Sequence, residues 1–150
     1  MTYQRSDQYI LFTVAGTTYA LPSSDIAHVD LVETITRVPN ALAFVDGVVF
    51  SRGQIVPAVN MRARFGFERA PIDVRTRFLV THAGGRTVGL LVDSCREFLR
   101  IEPSSIHPPG EAVVNAHQSS ISGIATVGDR MIVVLSLDRL LVSTDPIVAA

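Results

Sequence analysis

Residues able to do acid–base, nucleophilic or metal chemistry are present in this chain, but their spacing assembles no constellation that such chemistry needs. The four histidines, His28, His82, His107 and His117, fall in separate segments with no ligand-like spacing. Neither a His-Glu-x-x-His helix nor a Gly-x-Ser-x-Gly nucleophile elbow occurs. Cys95 is the single cysteine, so an internal disulfide and a thiolate zinc cluster are both excluded. It ends the run Val88-Gly-Leu-Leu-Val-Asp-Ser-Cys95, where a thiol serves as a small buried hydrophobe. Asp93, closing the apolar part of that run, suits a turn cap better than a general base. All 13 basic residues are arginine, and a phosphate-binding loop of the Gly-Lys-Ser/Thr kind needs a lysine. The expectation is a chain without catalysis, cofactor or metal.

Arginine without lysine has two explanations. Genomic base composition is the simpler one; a demand for rigid, fork-shaped donors is the other. Arg52 is where the second explanation has a concrete address. It stands at the turn of the otherwise apolar segment Asp46-Gly-Val-Val-Phe-Ser-Arg-Gly-Gln-Ile-Val-Pro57. A guanidinium there either points into water or waits beside a groove for a partner's carbonyls and carboxylates.

Such a side chain must be positioned by strands. Tyr9–Val14, the turn Ala15–Thr18 and Tyr19–Leu21 read as one hairpin. Arg77–Thr81, the turn Ala83–Arg86 and Thr87–Val92 read as a second, with Gly84 and Gly85 suited to positive φ. Two single-turn helices are expected. Met61–Phe65 follows the N-cap Asn60 and ends at Gly66; Leu137–Leu141 follows Ser136.

These pieces repeat. Gly47–Phe65 aligns without gaps on Gly123–Leu141, an offset of 76 residues, and each copy reads glycine, strand, turn, strand, N-cap, short helix. The two hairpins also correspond, roughly 68 residues apart. Two copies of one β module are expected, as small closed barrels, because closure removes exposed sheet edges. Glu68–Asp73 is a polar connector, and Pro103–Gln118 a longer irregular stretch around Pro108-Pro109-Gly110.

The bulk numbers agree with one soluble β-rich domain. The chain has 150 residues, is 47% hydrophobic and 18% charged, and carries a formal charge of −1. That charge, with no interleaving of basic and aromatic residues, argues against nucleic acid, although an OB-like binding barrel stays open as the competing class. No signal-peptide core precedes Tyr9, and no apolar stretch approaches the ~20 residues of a membrane span.

The ordered set of segments resembles one known family. Tyr9-Ile-Leu-Phe-Thr-Val with Tyr19-Ala, Ile35-Thr-Arg-Val-Pro, Phe44-Val-Asp-Gly-Val, Ser51-Arg-Gly-Gln-Ile-Val-Pro, Arg62 and Phe65-Gly66 are similar to the first half of a CheW domain. Val88-Gly-Leu-Leu-Val-Asp93, Ile106 with Pro108, Ile121-Ser-Gly-Ile and Asp129-Arg-Met-Ile-Val-Val-Leu resemble its second half. No single motif is specific; the order and spacing from Tyr9 to Val142 are.

The resemblance implies an all-β fold of two five-stranded, SH3-like barrels that exchange strands. It spans residues 9–142, with halves of roughly 9–67 and 76–142 and short tails at 1–8 and 143–150. It implies a non-catalytic scaffold joining the cytoplasmic tip of a chemoreceptor (a methyl-accepting chemotaxis protein) to the regulatory domain of a CheA-type histidine kinase. Such a protein is cytoplasmic and recruited to membrane-associated receptor arrays, without inserting into the membrane. Carried onto this chain, receptor contact falls on Arg52, Val88 and Phe98, and kinase contact on Ile26, His28, Thr36, Val38, Pro39 and Phe44. The chain departs from the family pattern at Phe50-Ser51, usually Asn-Leu, at Asn60, usually Asp, and at His28, usually acidic. These departures leave open a coupling protein of a non-motility system, such as surface sensing or pilus control.

Overall fold

A computed structural model describes residues 7–32, 34–110 and 120–142. The first half supplies β1 (Gln8–Val14), β2 (Thr17–Pro22), β3 (Ile26–Leu31), β4 (Val45–Ser51), β5 (Gln54–Asn60) and α1 (Met61–Arg64). The second supplies β6 (Arg77–Ala83), β7 (Arg86–Val92), β8 (Ser94–Arg100), β9 (Ile106–His107), β10 (Ile121–Val127), β11 (Arg130–Leu135) and α2 (Leu137–Val142). The hairpin turns are tighter than composition suggested. Ala15-Gly16, Arg52-Gly53 and Gly84-Gly85 each place two residues at positive φ. That geometry carries the twist of the flanking strands across a two-residue link.

The repeat holds at the level of single hydrogen bonds. Asn60 N–H donates to Phe44 O and Ser136 N–H to Ser120 O, at the same 76-residue offset. Asn60 Oδ1 accepts from Ala63 N at the start of α1, and Ser136 Oγ from Arg139 N at the start of α2. Even the irregularities recur: the register shifts at Ala27 in β3 and Arg96 in β8, and at Asp46 in β4 and Ser122 in β10.

Two sheets form, ordered β8-β1-β2-β11-β10-β9 and β3-β6-β7-β5-β4. The hairpin of each half is thus hydrogen-bonded into the sheet built by the other half. Parallel pairs make the joins, Ala58 to Gly89 in one sheet and Val134 to Ala20 in the other. Each sheet then curls back on itself. Downstream of β3, Thr36 exchanges two backbone hydrogen bonds with Val48 on β4, at 2.9 and 2.8 Å. Downstream of β8, β9 pairs with β10 through His107 and Ile124. The first sheet counts six strands rather than five because β8 and β9 are one path interrupted by a 3-10 turn at Pro103–Ser105.

The glycine that opens each repeat sits at this seam. A Cβ on Gly47 would lie 2.1 Å from Thr36 O, and one on Gly123 would lie 2.9 Å from His107 O. Both chains approach so closely that no side chain fits between them.

Among the described residues, buried apolar side chains divide into three clusters. One fills each sheet's own interior: Leu11, Ala20, Ile101 and Ile132 in one, Val56, Phe78, Val80 and Leu91 in the other. The largest lies between the sheets and draws on both halves, with Phe12, Tyr19, Val59, Met61, Leu79, Val88, Leu90 and Leu140 among its members.

Candidate partner-binding surface

The turn Arg52-Gly53 fixes the register of β4 on β5: Ser51 faces Gln54, Phe50 faces Ile55 and Val49 faces Val56. Residues directly opposite share a face, and successive residues alternate. Burial of Val49 and Val56 therefore sends Phe50 and Ile55 outward, where they are 73% and 68% exposed. Leu31, ending β3 across the seam, is 66% exposed. An open cleft of about 340 Å³ is lined by Leu31 and Phe50 with Asp30, Arg52 and Phe78.

Asp30 is the polar centre of this patch. Its Oδ1 accepts from Arg52 Nη2 at 3.1 Å, and its Oδ2 lies 3.5 Å from both Ser51 Oγ and His28 Nε2. His28 and Asp30 are two residues apart on one strand and so share a face. Arg52 itself holds φ at +48°, a conformation that Gly or Asn adopts at lower cost. Its guanidinium is neither loose in water nor between the two sheets. It bridges the seam of one sheet.

The other sheet carries a related arrangement. Arg130, at the start of β11, donates Nη1 and Nη2 to the two carboxylate oxygens of Glu97 on β8, at 2.9 and 2.8 Å. Hydrogen bonds from Arg130 hold the Glu97 carboxyl below its ordinary range. Phe98 and Met131, next to these two residues, are exposed.

A third charged contact lies between the sheets. Arg62 on α1 donates Nε and Nη2 to Asp93 at 2.7–3.0 Å, and the same carboxylate accepts the Ala15 amide at 2.8 Å. Asp93 N–H in turn donates to Thr13 O. Asp93 is therefore a cap for the positive-φ turn at Ala15, as its position suggested, and also a tie between α1 and the β1–β2 hairpin. Burial alone would raise its carboxyl. The bonds from Arg62 and Ala15 outweigh burial and bring it below the ordinary value.

The structure separates the expected contact residues by burial. Val88 is fully buried in the central cluster, so it presents no surface to a partner. Its strand, β7, is internal to a sheet, and its side chain faces the apolar space between the two sheets. Arg52 joins β4 to β5 in one sheet, and Phe98 lies on β8 in the other. The other six fall into three groups. Ile26 and Phe44 are half-buried against the central cluster, and Arg64 lies 5.5 Å over the Phe44 ring. Thr36, Val38 and Pro39 are exposed on the segment that closes the seam, and Val38 borders a cleft of about 520 Å³ rimmed by the Asp46–Arg69 ion pair. His28 joins the Asp30–Arg52 cluster instead. His117 lies outside the described residues.

The chain matches the CheW-like domain family over residues 8–145. It belongs to that family. The chemotaxis protein CheW of Klebsiella aerogenes is 27% identical over 138 residues, covering 92% of this chain and 83% of that protein. The CheW of Rhizobium meliloti is 33% identical over 110 residues, covering 73% and 71%. The crystal structure of the scaffolding protein TtCheW from Thermoanaerobacter tengcongensis superposes with a TM-score of 0.81 at 29% identity, covering 89% of this chain and 91% of that one. The CheW-like match and its two SH3-like units bear out the all-β reading and leave the OB-like alternative without support. Among the described residues, no helix is long and apolar enough to cross a membrane.

The sequence did not single out Asp30, Leu31 and Ile55. A usable signal was present for Ile55 with Phe50: once a two-residue turn fixes the register, both fall on the parity opposite Val49 and Val56. Nothing local paired Asp30 with Arg52, since 22 residues and a sheet closure separate them.

Proposed function

We propose that this CheW-like chain is a non-catalytic coupling scaffold that joins a chemoreceptor's cytoplasmic tip to a CheA-type kinase on the cytoplasmic side of the membrane. The observation that carries the reading is the surface around Arg52. Three large apolar side chains, Leu31, Phe50 and Ile55, stand exposed around an Arg–carboxylate pair, on a rigid hairpin and its seam. An apolar strip flanking a guanidinium suits one face of an amphipathic helix, with the arginine meeting a carboxylate or a helix-end carbonyl. Scattered apolar residues are ordinary on a protein surface; a contiguous group around one charged pair marks an interaction site.

Receptor contact is assigned to Arg52 with Phe50 and Ile55, and Phe98 on the other sheet is a separate contact. Kinase contact is assigned to the seam segment that carries Thr36, Val38 and Pro39. Val88 supports both from the core.

The test is binding of a receptor-tip hairpin fragment and of the kinase regulatory domain, measured separately. Arg52→Glu and Phe50→Ser are each expected to weaken receptor binding by about thirtyfold, the effect of losing a hot-spot residue worth ~2 kcal/mol. Kinase binding and circular dichroism should not change. If folded Arg52→Glu binds the receptor fragment as tightly as the unmodified chain, the receptor-facing surface lies elsewhere.

A further inference from the structure

His28 Nε2 is a buried ring nitrogen with no hydrogen-bond partner among the described residues. It lies 3.5 Å from Asp30 Oδ2 but outside hydrogen-bonding alignment. Arg52 occupies Oδ1 of that carboxylate, and among the described residues Oδ2 accepts only from the Ser51 hydroxyl, at 3.5 Å. A carboxylate oxygen in this state can accept a stronger donor, and a buried nitrogen in this state gains by becoming one.

The other charged groups on neighbouring elements are engaged elsewhere. On β6, which pairs with β3, Arg77 donates to Val74 O and Thr76 O, and His82 Nδ1 bonds the Thr87 hydroxyl. Asp25 closes the 3-10 turn before β3, and the β4–β5 turn contributes Arg52 itself. The immediate cluster is His28, Asp30 and Arg52.

We infer that His28 is a proton-operated charge switch on the Arg52 surface. With a neutral imidazole, Asp30 and Arg52 cancel. A proton on His28 gives the cluster a net charge of +1 and a charge-assisted bond to Oδ2, so the carboxylate is shared and its hold on Arg52 loosens. Histidine titrates within the window of ~pH 5–8. A helical partner bearing carboxylates is therefore bound more tightly on the acid side of that window. This inference rests on the reading of the Arg52 surface as receptor-facing.

Two measurements separate the two ideas. The first is NMR of the chain alone, following the His28 ring and the Arg52 Nε–H signal from pH 8 to 5.5. The Arg52 signal should move with the same midpoint as His28 and stay flat in His28→Gln. An Arg52 signal that ignores His28 titration in the unmodified chain overturns the switch without need of any variant. The second is affinity for a receptor-tip hairpin fragment, expected to rise roughly two- to fivefold from pH 7.8 to 5.8 and not in His28→Gln. An equal rise in folded His28→Gln also overturns the switch. Coupled NMR shifts with no binding at either pH would leave the switch standing and overturn the receptor-facing reading.

Discussion

At the scale of single residues, burial decides which groups can act. The Cys95 thiol is half-buried against the central cluster, and burial pushes it up to about 11, with a smaller opposing effect from Arg77. Two consequences follow from one sign. The folded chain keeps a neutral thiol at pH 8, with on the order of a hundredfold less thiolate than an ordinary cysteine. A thiol-reactive dye should therefore label the native protein far more slowly than the urea-unfolded one. Above about pH 9 the unfolded chain loses this proton and the folded chain does not, so stability falls as pH rises. Asp93 has the opposite sign. Its carboxyl lies below the ordinary range when folded, so its contribution is complete above about pH 5 and is lost as pH falls through the folded value. Urea midpoints measured from pH 7 down to pH 3 should show this loss, and Asp93→Asn should flatten it. Val88→Ala is expected to cost about 2 kcal/mol of stability, with receptor affinity unchanged in whatever fraction remains folded.

At the scale of elements, the seam is the demanding part. The Cβ of Gly47→Ala would be driven to 2.1 Å from the Thr36 carbonyl oxygen at a φ of +145°, whereas at Gly123 it would meet a methyl of Ile106 at 2.7 Å and the His107 carbonyl oxygen only at 2.9 Å. A side chain can move aside more easily than a backbone. Gly47→Ala should therefore cost roughly 3 kcal/mol or more and Gly123→Ala roughly 1–2 kcal/mol, read as shifts in the urea midpoint. The hairpins, caps and short helices were legible in the sequence because each depends on residues a few positions apart: Gly84-Gly85, Asn60 with Ala63, Ser136 with Arg139. The 76-residue repeat was legible because both copies face the same packing problem. The seam was not, because Thr36 meets Val48 only when three other strands stand between β3 and β4. The same distance hid the Asp30–Arg52 pair, and it let Val88 be read as surface when its strand lies inside a sheet.

At the scale of the whole molecule, two barrels share one fate. The central cluster takes side chains from β1, β2, β5, β6, β7 and β11, and neither half owns the hairpin that completes its sheet. Arg64 Nη2 donates to Leu140 O, a contact between equivalent positions of the two copies, which places α1 and α2 together near the axis relating them. Such a molecule has no separable domains. Calorimetry should give a single transition with matching van't Hoff and calorimetric enthalpies. A fragment of residues 9–67 should show no dispersed NMR signals, since its sheet lacks β6 and β7 and its own first hairpin has nowhere to pair.

The exchange of hairpins also sets an order of events during synthesis. Tyr19 and Ala20 wait for Val133 and Val134, which lie 114 residues later in the chain. At a synthesis rate of ~5–20 residues per second, that delay is on the order of ten seconds. Until β8 is made the first hairpin has both strand edges open, and from then until β11 it has one, with an apolar face uncovered, the condition in which strands pair with the wrong neighbour. Loop closure over such separations is slow as well. The architecture that gives the finished molecule one rigid surface therefore makes its nascent form dependent on protection until nearly the last strand is made.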